Sequence, residues 1–285
     1  MADEDTVQSK VLRVLGSVTA STTVLAALMF YFGRQHAYWF FDHFGVNFTV
    51  MGLTAQDYLI RSADGLFMPL TVVAGVGLVG LWVHRLLRAR LSSKMWRRVV
   101  RTSRWASLAL GVACTALAVV AVVEPVLFYG YPALPGACLA VGVILLATVT
   151  RPNRRAATGV AVAEWGAVFL LVSAGLFWAV TDYSASVGLG RAVQVEAELQ
   201  RAPSVSVYSR QSLNLAAPGV RQTVCKTPEA AYGFRNTGMK LVLESGGQYF
   251  LLPSTWHPAA APAVILPRSD AVRLEFTTGT EPSSC

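Results

Sequence analysis

Five long apolar stretches constrain this chain more than any other feature. They lie at about 14–33, 66–83, 106–123, 126–150 and 159–180, and none holds an Asp, Lys or Arg in its interior. A helix rises ~1.5 Å per residue, so about 20 apolar residues cross the ~30 Å hydrocarbon layer of a bilayer. The pattern predicts a membrane all-α bundle of five transmembrane helices. Composition agrees: only 14% of the 285 residues are charged and 54% are hydrophobic, against roughly 25% charged in soluble domains. Disordered chains lack this aliphatic content and are excluded.

Charge between the stretches sets an expected orientation, because short loops rich in Lys and Arg stay in the cytoplasm. Segment 85–104 holds eight basic residues and no acid, the loop after the fourth stretch holds Arg151, Arg154 and Arg155, and the N-terminal segment 1–13 holds Lys10 and Arg13. On the other side, 34–65 carries Arg34 and Arg61 against Asp42, Asp57 and Asp64. The N-terminus is therefore expected inside a cell (inner) membrane, and residues 181–285 outside as an extracytoplasmic domain. The first stretch differs from a secretory signal: its apolar core is longer, and it runs straight into Arg34-Gln35-His36 rather than a small-residue cleavage site. A retained span is expected.

The formal charge of +8 then divides by compartment. Cytoplasmic segments sum to +10, the 34–65 loop with Glu124 and Glu164 to −3, and the tail from Thr181 to +1. Basicity concentrated on one membrane face serves orientation and can also draw anionic lipid or an acidic cytoplasmic partner, with no nucleic-acid-binding fold around it. The lipid-binding candidates are Arg85, Arg88, Arg90, Lys94, Arg97, Arg98, Arg101 and Arg104, within the inner loop 84–105. Leu87, Leu91, Met95 and Val99 recur every four residues among them, predicting an apolar stripe on a basic helix.

Segment 31–67 is dense in aromatics, from Tyr31 and Phe32 through Trp39, Phe40, Phe41 and Phe44 to Tyr58 and Phe67. Such rings favour the bilayer interface, so this loop is expected either along the outer leaflet or under the C-terminal domain. Thr54 with Asp57 three residues later predicts a helix start. His36, Asp42 and His43 match no closed metal site. Asn47-Phe48-Thr49 is a glycosylation triplet, meaningful only in a host with that machinery.

Within the spans, Gly75, Gly77 and Gly80 match a dinucleotide-binding pattern but lack the preceding strand, so they are expected to serve helix packing. A transport path normally needs ionisable or polar groups inside the bundle. Here Glu164 and Thr115 are the candidates, and an oligomer is expected because five helices without midplane charge make a poor ion path alone.

Beyond 180 the pattern changes. Ser184 to Gln200 continues as a helix, and Ser204–Arg210 and Ala271–Phe276 alternate like strands. Lys240–Glu244 and Gln248–Leu252 flank Ser245-Gly246-Gly247, a hairpin signal. A small α+β or mainly β domain is expected. Cys225 and Cys285 both fall in it, where an oxidising compartment would permit a disulfide, while Cys114 and Cys138 lie in spans. No zinc-protease, nucleophile-elbow, phosphate-loop or Cys-x-x-Cys motif occurs, so no catalytic residue and no cofactor is expected. Tyr249, Phe250 and Trp256 are the candidate partner contacts, with core packing the alternative for each ring.

Tyr38 to Leu70, with Phe44-Gly45-Val46 and Asp57-Tyr58-Leu59-Ile60-Arg61-Ser62, resembles an uncharacterised multi-span integral membrane protein family of actinobacteria. So does Gly238 to Pro253, with Trp256 and Val272 to Phe276. Arg outnumbering Lys, with abundant Ala and Val, suits a high-GC genome. The resemblance implies an envelope location and brings no activity or site residues. The functional expectation is a non-enzymatic membrane protein whose outer domain binds an envelope protein or polymer, with an oligomeric channel or transporter as the alternative.

Overall fold

The computed structural model describes residues 2–90, 92–149, 158–225, 230–258 and 261–277, with side chains from Thr22 onward. A helical N-terminal part, α1 (Ala2–His43), α2 (Ala55–Arg90), α3 (Ser93–Val123), α4 (Ala133–Val149) and α5 (Thr158–Glu198), precedes six strands. Three helical stretches are long and apolar enough to cross a membrane: Ala55–Arg90, Arg101–Val123 and Gly159–Arg201. Ala133–Val149 is apolar but shorter, because a 3-10 turn at Pro125–Phe128 takes up the start of the expected fourth span. Within the expected first span at 14–33, side chains are described at 22, 23 and 25–33.

The chain divides into two compact units, one of Met1–Ser62 with Val187–Cys285 and one of Ala63–Ser186. The first expected span and the 34–65 loop thus group with the C-terminal strands rather than with the other spans.

In the unit of Ala63–Ser186, small residues set the helix contacts. A Cβ on Gly142 would lie 2.6 Å from the Thr115 hydroxyl and 3.0 Å from the Gly111 carbonyl oxygen, so α3 and α4 meet backbone to backbone there. Gly136 of α4 and Gly175 of α5 make a second close approach, with a Gly136 Cβ 2.4 Å from the Ala179 nitrogen. Helices approaching this closely gain dispersion contacts that lipid cannot supply. Residues 71–90 of α2, by contrast, are exposed at every position, and a Cβ at Gly75, Gly77 or Gly80 would touch nothing. Among the described residues nothing packs against that glycine run.

The other unit is built on an antiparallel sheet of order β5-β4-β3-β1-β6, with β2 pairing β3. The strands are β1 (Ser204–Ser209), β2 (Arg221–Val224), β3 (Phe234–Ser245), β4 (Gln248–Pro253), β5 (Val264–Pro267) and β6 (Val272–Thr277). The expected hairpin joins β3 to β4 through Gly246 and Gly247 at φ 57° and 73°, the two left-handed residues a type I′ turn requires. β2 and β5 escape sequence detection because each spans only four residues. One sheet face packs Val205, Val207, Met239, Leu251, Val264 and Leu266 under the 213–220 loop. The other receives Phe250, Leu252 and Trp256 together with Phe40, Phe41, Phe44, Met51, Ala192 and Leu199.

That second core accounts for the aromatic density of 31–67. α1 continues to His43, so much of the expected loop is helix, and residues 40, 41 and 44 share one face of it. Phe41 and Phe44 meet Phe250 edge-on at 5.4 and 5.5 Å, and Phe44 meets Trp256 at 5.0 Å. The segment packs with the C-terminal domain, one of its two expected placements.

Candidate functional site

The described surface with most chemical content lies in the unit that joins residues 22–62 to the sheet. Its frame is a short loop held at both ends. Asp57 Oδ2 accepts the Thr54 N–H at 2.8 Å and the Thr54 hydroxyl at 2.7 Å, and the Asp57 N–H donates to Thr54 Oγ1 at 3.3 Å, a reciprocal cap at the start of α2. The same carboxylate oxygen accepts the Ser245 hydroxyl at 2.8 Å, tying the cap to the β3 end of the hairpin. Burial pushes the Asp57 carboxyl up, but the Thr54 and Ser245 donors and the nearby Arg61 outweigh it, holding the group below its ordinary value.

Arg61 stands over two rings of the core, its guanidinium carbon 5.5 Å from the Phe40 centroid and 5.7 Å from that of Phe41. Burial lowers its pKa, with Asp57 and then Tyr58 pulling the other way. A guanidinium tolerates such a place because its charge is delocalised and weakly hydrated. Beside it, α1 and α2 touch at Gly33, where a Cβ would lie 1.8 Å from the Tyr58 carbonyl oxygen. Burial also raises the Tyr58 phenol, against the opposing fields of Arg34 and Arg61.

On the other face of α1, a cavity of about 360 Å³ opens between the helix and the 45–49 loop, walled by Arg34, Tyr38 and Asp42 on the helix and Asn47, Phe48 and Thr49 on the loop. Asn47 Oδ1 accepts the Thr49 N–H at 3.0 Å and the Thr49 hydroxyl at 2.8 Å, closing the 3-10 turn Phe48–Met51. Phe48 is buried, meets Tyr38 edge-on at 6.0 Å, and carries the Arg34 guanidinium 5.6 Å above its centroid. Arg34 and Asp42 make no ion pair and no side-chain hydrogen bond among the described residues. Both charges sit in one concavity without neutralising each other. Residues 34, 38 and 42 recur at the i, i+4, i+8 spacing of one helix face, a signal present in the sequence but masked by reading 34–65 as loop.

A second polar group lies on the sheet. Arg273 stands 4.8 Å from the Tyr208 ring centroid and 5.3 Å from that of Tyr232, and donates to Glu275 at 2.6 Å. Arg235 approaches the same Tyr208 ring at 5.8 Å and donates to Ser206 at 3.1 Å. Burial, followed by the Glu275 hydrogen bond, raises the Tyr208 phenol.

The partner contacts expected from sequence take different places. Phe250 is wholly buried and Trp256 is 7% exposed, both inside the aromatic core, so neither offers a ring to a partner; Tyr249 is half-buried against the opposite face. The apolar side chains that do face outward on the strands are Val224 at 58% and Phe276 at 59% exposure. His36 is buried and stacks on Phe40, His43 Nε2 lies 2.7 Å from Glu196 Oε2, and among the described residues no group of three or more His, Cys, Asp or Glu side chains could hold a metal ion.

Of the basic candidates, Arg85, Arg88 and Arg90 end α2 and Arg101 and Arg104 lie on α3, all exposed; the side chains of Lys94, Arg97 and Arg98 lie outside the described residues. The expected continuous stripe from Leu87 to Val99 is broken, because α2 ends at Arg90 and Ser92 is extended at φ −63°, ψ 155° before α3 begins. Arg104 Nη2 donates to the Val149 carbonyl oxygen at 3.1 Å, at the C-terminal end of α4, where a cation satisfies an orphan acceptor. Thr115 donates to its own helix at Gly111 O, 2.8 Å away, and Glu164 is half-buried on α5; Arg154 and Arg155 lie outside the described residues. Cys225 is disulfide-bonded and Cys114 and Cys138 are free thiols, while Cys285 lies outside the described residues.

No protein family, curated protein or solved structure matches the chain.

Proposed function

We propose that the protein is a non-enzymatic integral membrane protein of the cell membrane with five spans, a cytoplasmic N-terminus, and an extracytoplasmic module that binds an envelope protein or polymer. The observation that carries this reading is the joint core of the aromatic segment and the sheet. It makes the first expected outer loop and the C-terminal strands one module, as a shared membrane face requires. Three apolar helices and the one-sided Lys and Arg distribution supply the anchor and its direction. The disulfide at Cys225 accords with an oxidising compartment, and Cys285 is its proposed partner. The binding surface is assigned to the exposed Val224, Phe276 and Arg273 and to the half-buried Tyr232, since Arg and Tyr contribute disproportionately at interfaces. At the cytoplasmic face, the exposed Arg residues of α2 and α3 attract anionic lipid.

Photo-crosslinking residues introduced at Val224 and Phe276 in intact cells are expected to trap a discrete envelope partner, while one at Phe250 does not. Absence of any adduct from both exposed positions would remove the partner-binding reading. Membrane-impermeant thiol labelling of Thr49→Cys from outside tests the orientation separately. Replacing Cys285 by Ser should raise the thiols alkylated under denaturing, non-reducing conditions from two to three.

An oligomeric channel or transporter is the second reading, favoured by the α2 surface at 71–90 that none of the described residues covers. A monomer by mass measurement in lipid nanodiscs would count against it.

A further inference from the structure

Resting on the outer placement of the 34–62 segment, we infer that the cavity between α1 and the 45–49 loop binds the headgroup of a zwitterionic phospholipid bearing a primary amine, with Arg34 on the phosphate and Asp42 on the ammonium. The cavity contains one cation and one anion that do not pair with each other. A simple anion would face Asp42 and a simple cation would face Arg34, so neither suits it. A molecule carrying both charges satisfies both walls at once. Arg34 and Asp42 are two helical turns apart, about 12 Å along the axis, a spacing that a headgroup with separated phosphate and ammonium groups can bridge.

The chemistry of each wall follows. A guanidinium presents its donors in a planar fork that matches phosphate oxygens. An ammonium has three donors for the Asp42 carboxylate, whereas a quaternary amine has none. Phe48 of the loop lies beneath the Arg34 guanidinium, and Tyr38 offers an aromatic face beside the cation. The position also fits lipid rather than a soluble zwitterion. Arg34 directly follows the apolar run 14–33, at the level where phosphates lie, and exposed Phe30, Tyr31, Trp39 and Val50 supply apolar and interfacial surface for acyl chains alongside.

The test uses the purified full-length chain in detergent, with native mass spectrometry reporting retained short-chain phosphatidylethanolamine, phosphatidylglycerol and phosphatidylcholine. The ethanolamine lipid is expected to be retained roughly tenfold or more above the glycerol lipid, as one charge-assisted contact would give. Asp42→Asn should erase that preference, Arg34→Gln should weaken all three lipids, and Arg34→Lys should restore part of the binding in a chain that folds alike by circular dichroism. Equal retention of all three lipids by the wild type, or a preference surviving Asp42→Asn, would overturn the inference. So would displacement by free glycine or serine without displacement by phosphoethanolamine, which would make the cavity an amino-acid site. Because binding in detergent does not depend on which face the module occupies, inside labelling of Thr49→Cys would sink the outer placement while leaving the headgroup result to stand by itself.

Discussion

Residues 71–90 of α2 and the stretch from Phe40 to Phe48 are both rich in large apolar side chains, yet every residue of the first is exposed and Phe40, Phe41, Phe44 and Phe48 are all buried. Apolarity by itself specifies removal from water, not the partner that achieves it. In α2 the run is continuous and long enough for a bilayer, so lipid can take every face. Around Phe40 the run is broken by Asp42, His43 and Asn47, which need water or a hydrogen bond, and the aromatics must find a protein partner on one side only. The sheet face at Phe250 and Trp256 provides it.

The sharpest way to break this contrast is Phe41→Ala. A wholly buried ring touching Phe40 and Phe250 is removed, and a loss of about 3–5 kcal/mol is expected in denaturant unfolding of the sheet module. A small effect would mean the aromatic face is not a true core. On the other side of the comparison, Val79→Lys should cost about 2.5–3.5 kcal/mol in membrane insertion of α2, read by glycosylation-site tagging, while Val79→Leu changes nothing. Full tolerance of the lysine would deny that lipid covers this helix.

Two smaller effects probe how the hairpin is held. A Cβ on Gly246 would lie 2.2 Å from the Gly52 carbonyl oxygen and 2.3 Å from that of Met51, whereas one on Gly247 would meet nothing. Both residues are left-handed, so each alanine carries the conformational cost, about 1 kcal/mol. Gly246→Ala adds the backbone clash, roughly 1–3 kcal/mol more, and thermal melts of the two variants should separate accordingly.

Asp57→Asn is expected to cost about 0.5–2 kcal/mol at neutral pH, the range for a lost helix cap. Since folded Asp57 titrates below its unfolded value near 4, its ionised form contributes stability that is fully present above that pH and is lost as pH falls through the folded value. Melting temperature followed from pH 7 down to pH 2 should therefore drop less in the variant than in the wild type. Equal acid sensitivity would place the titrating group elsewhere.

Much of this fold was legible locally. The Thr54 and Asp57 pair announced the start of α2, and Gly246-Gly247 announced its turn, because both signals are complete within a few residues. β1 and β6 alternate with period two and were visible for the same reason. The cavity depends on helix length: α1 runs to His43, and only that extension puts Arg34, Tyr38 and Asp42 on one face. Sequence leaves Phe250 and Trp256 open between a partner and a core, since an aromatic has the same local pattern in either place; both lie in the core.

By itself the sequence determined which segments must leave water, which face of the membrane their flanking charges favour, and where the chain turns, since these depend on composition and on short-range backbone preference. Tertiary structure alone decided that Ser245 would reach Asp57 across 188 residues, that Phe250 would close on Phe41, and that Arg34 and Asp42 would share a cavity without pairing. Contacts between distant segments depend on the shapes of both partners at once, and no periodicity within either segment records the other.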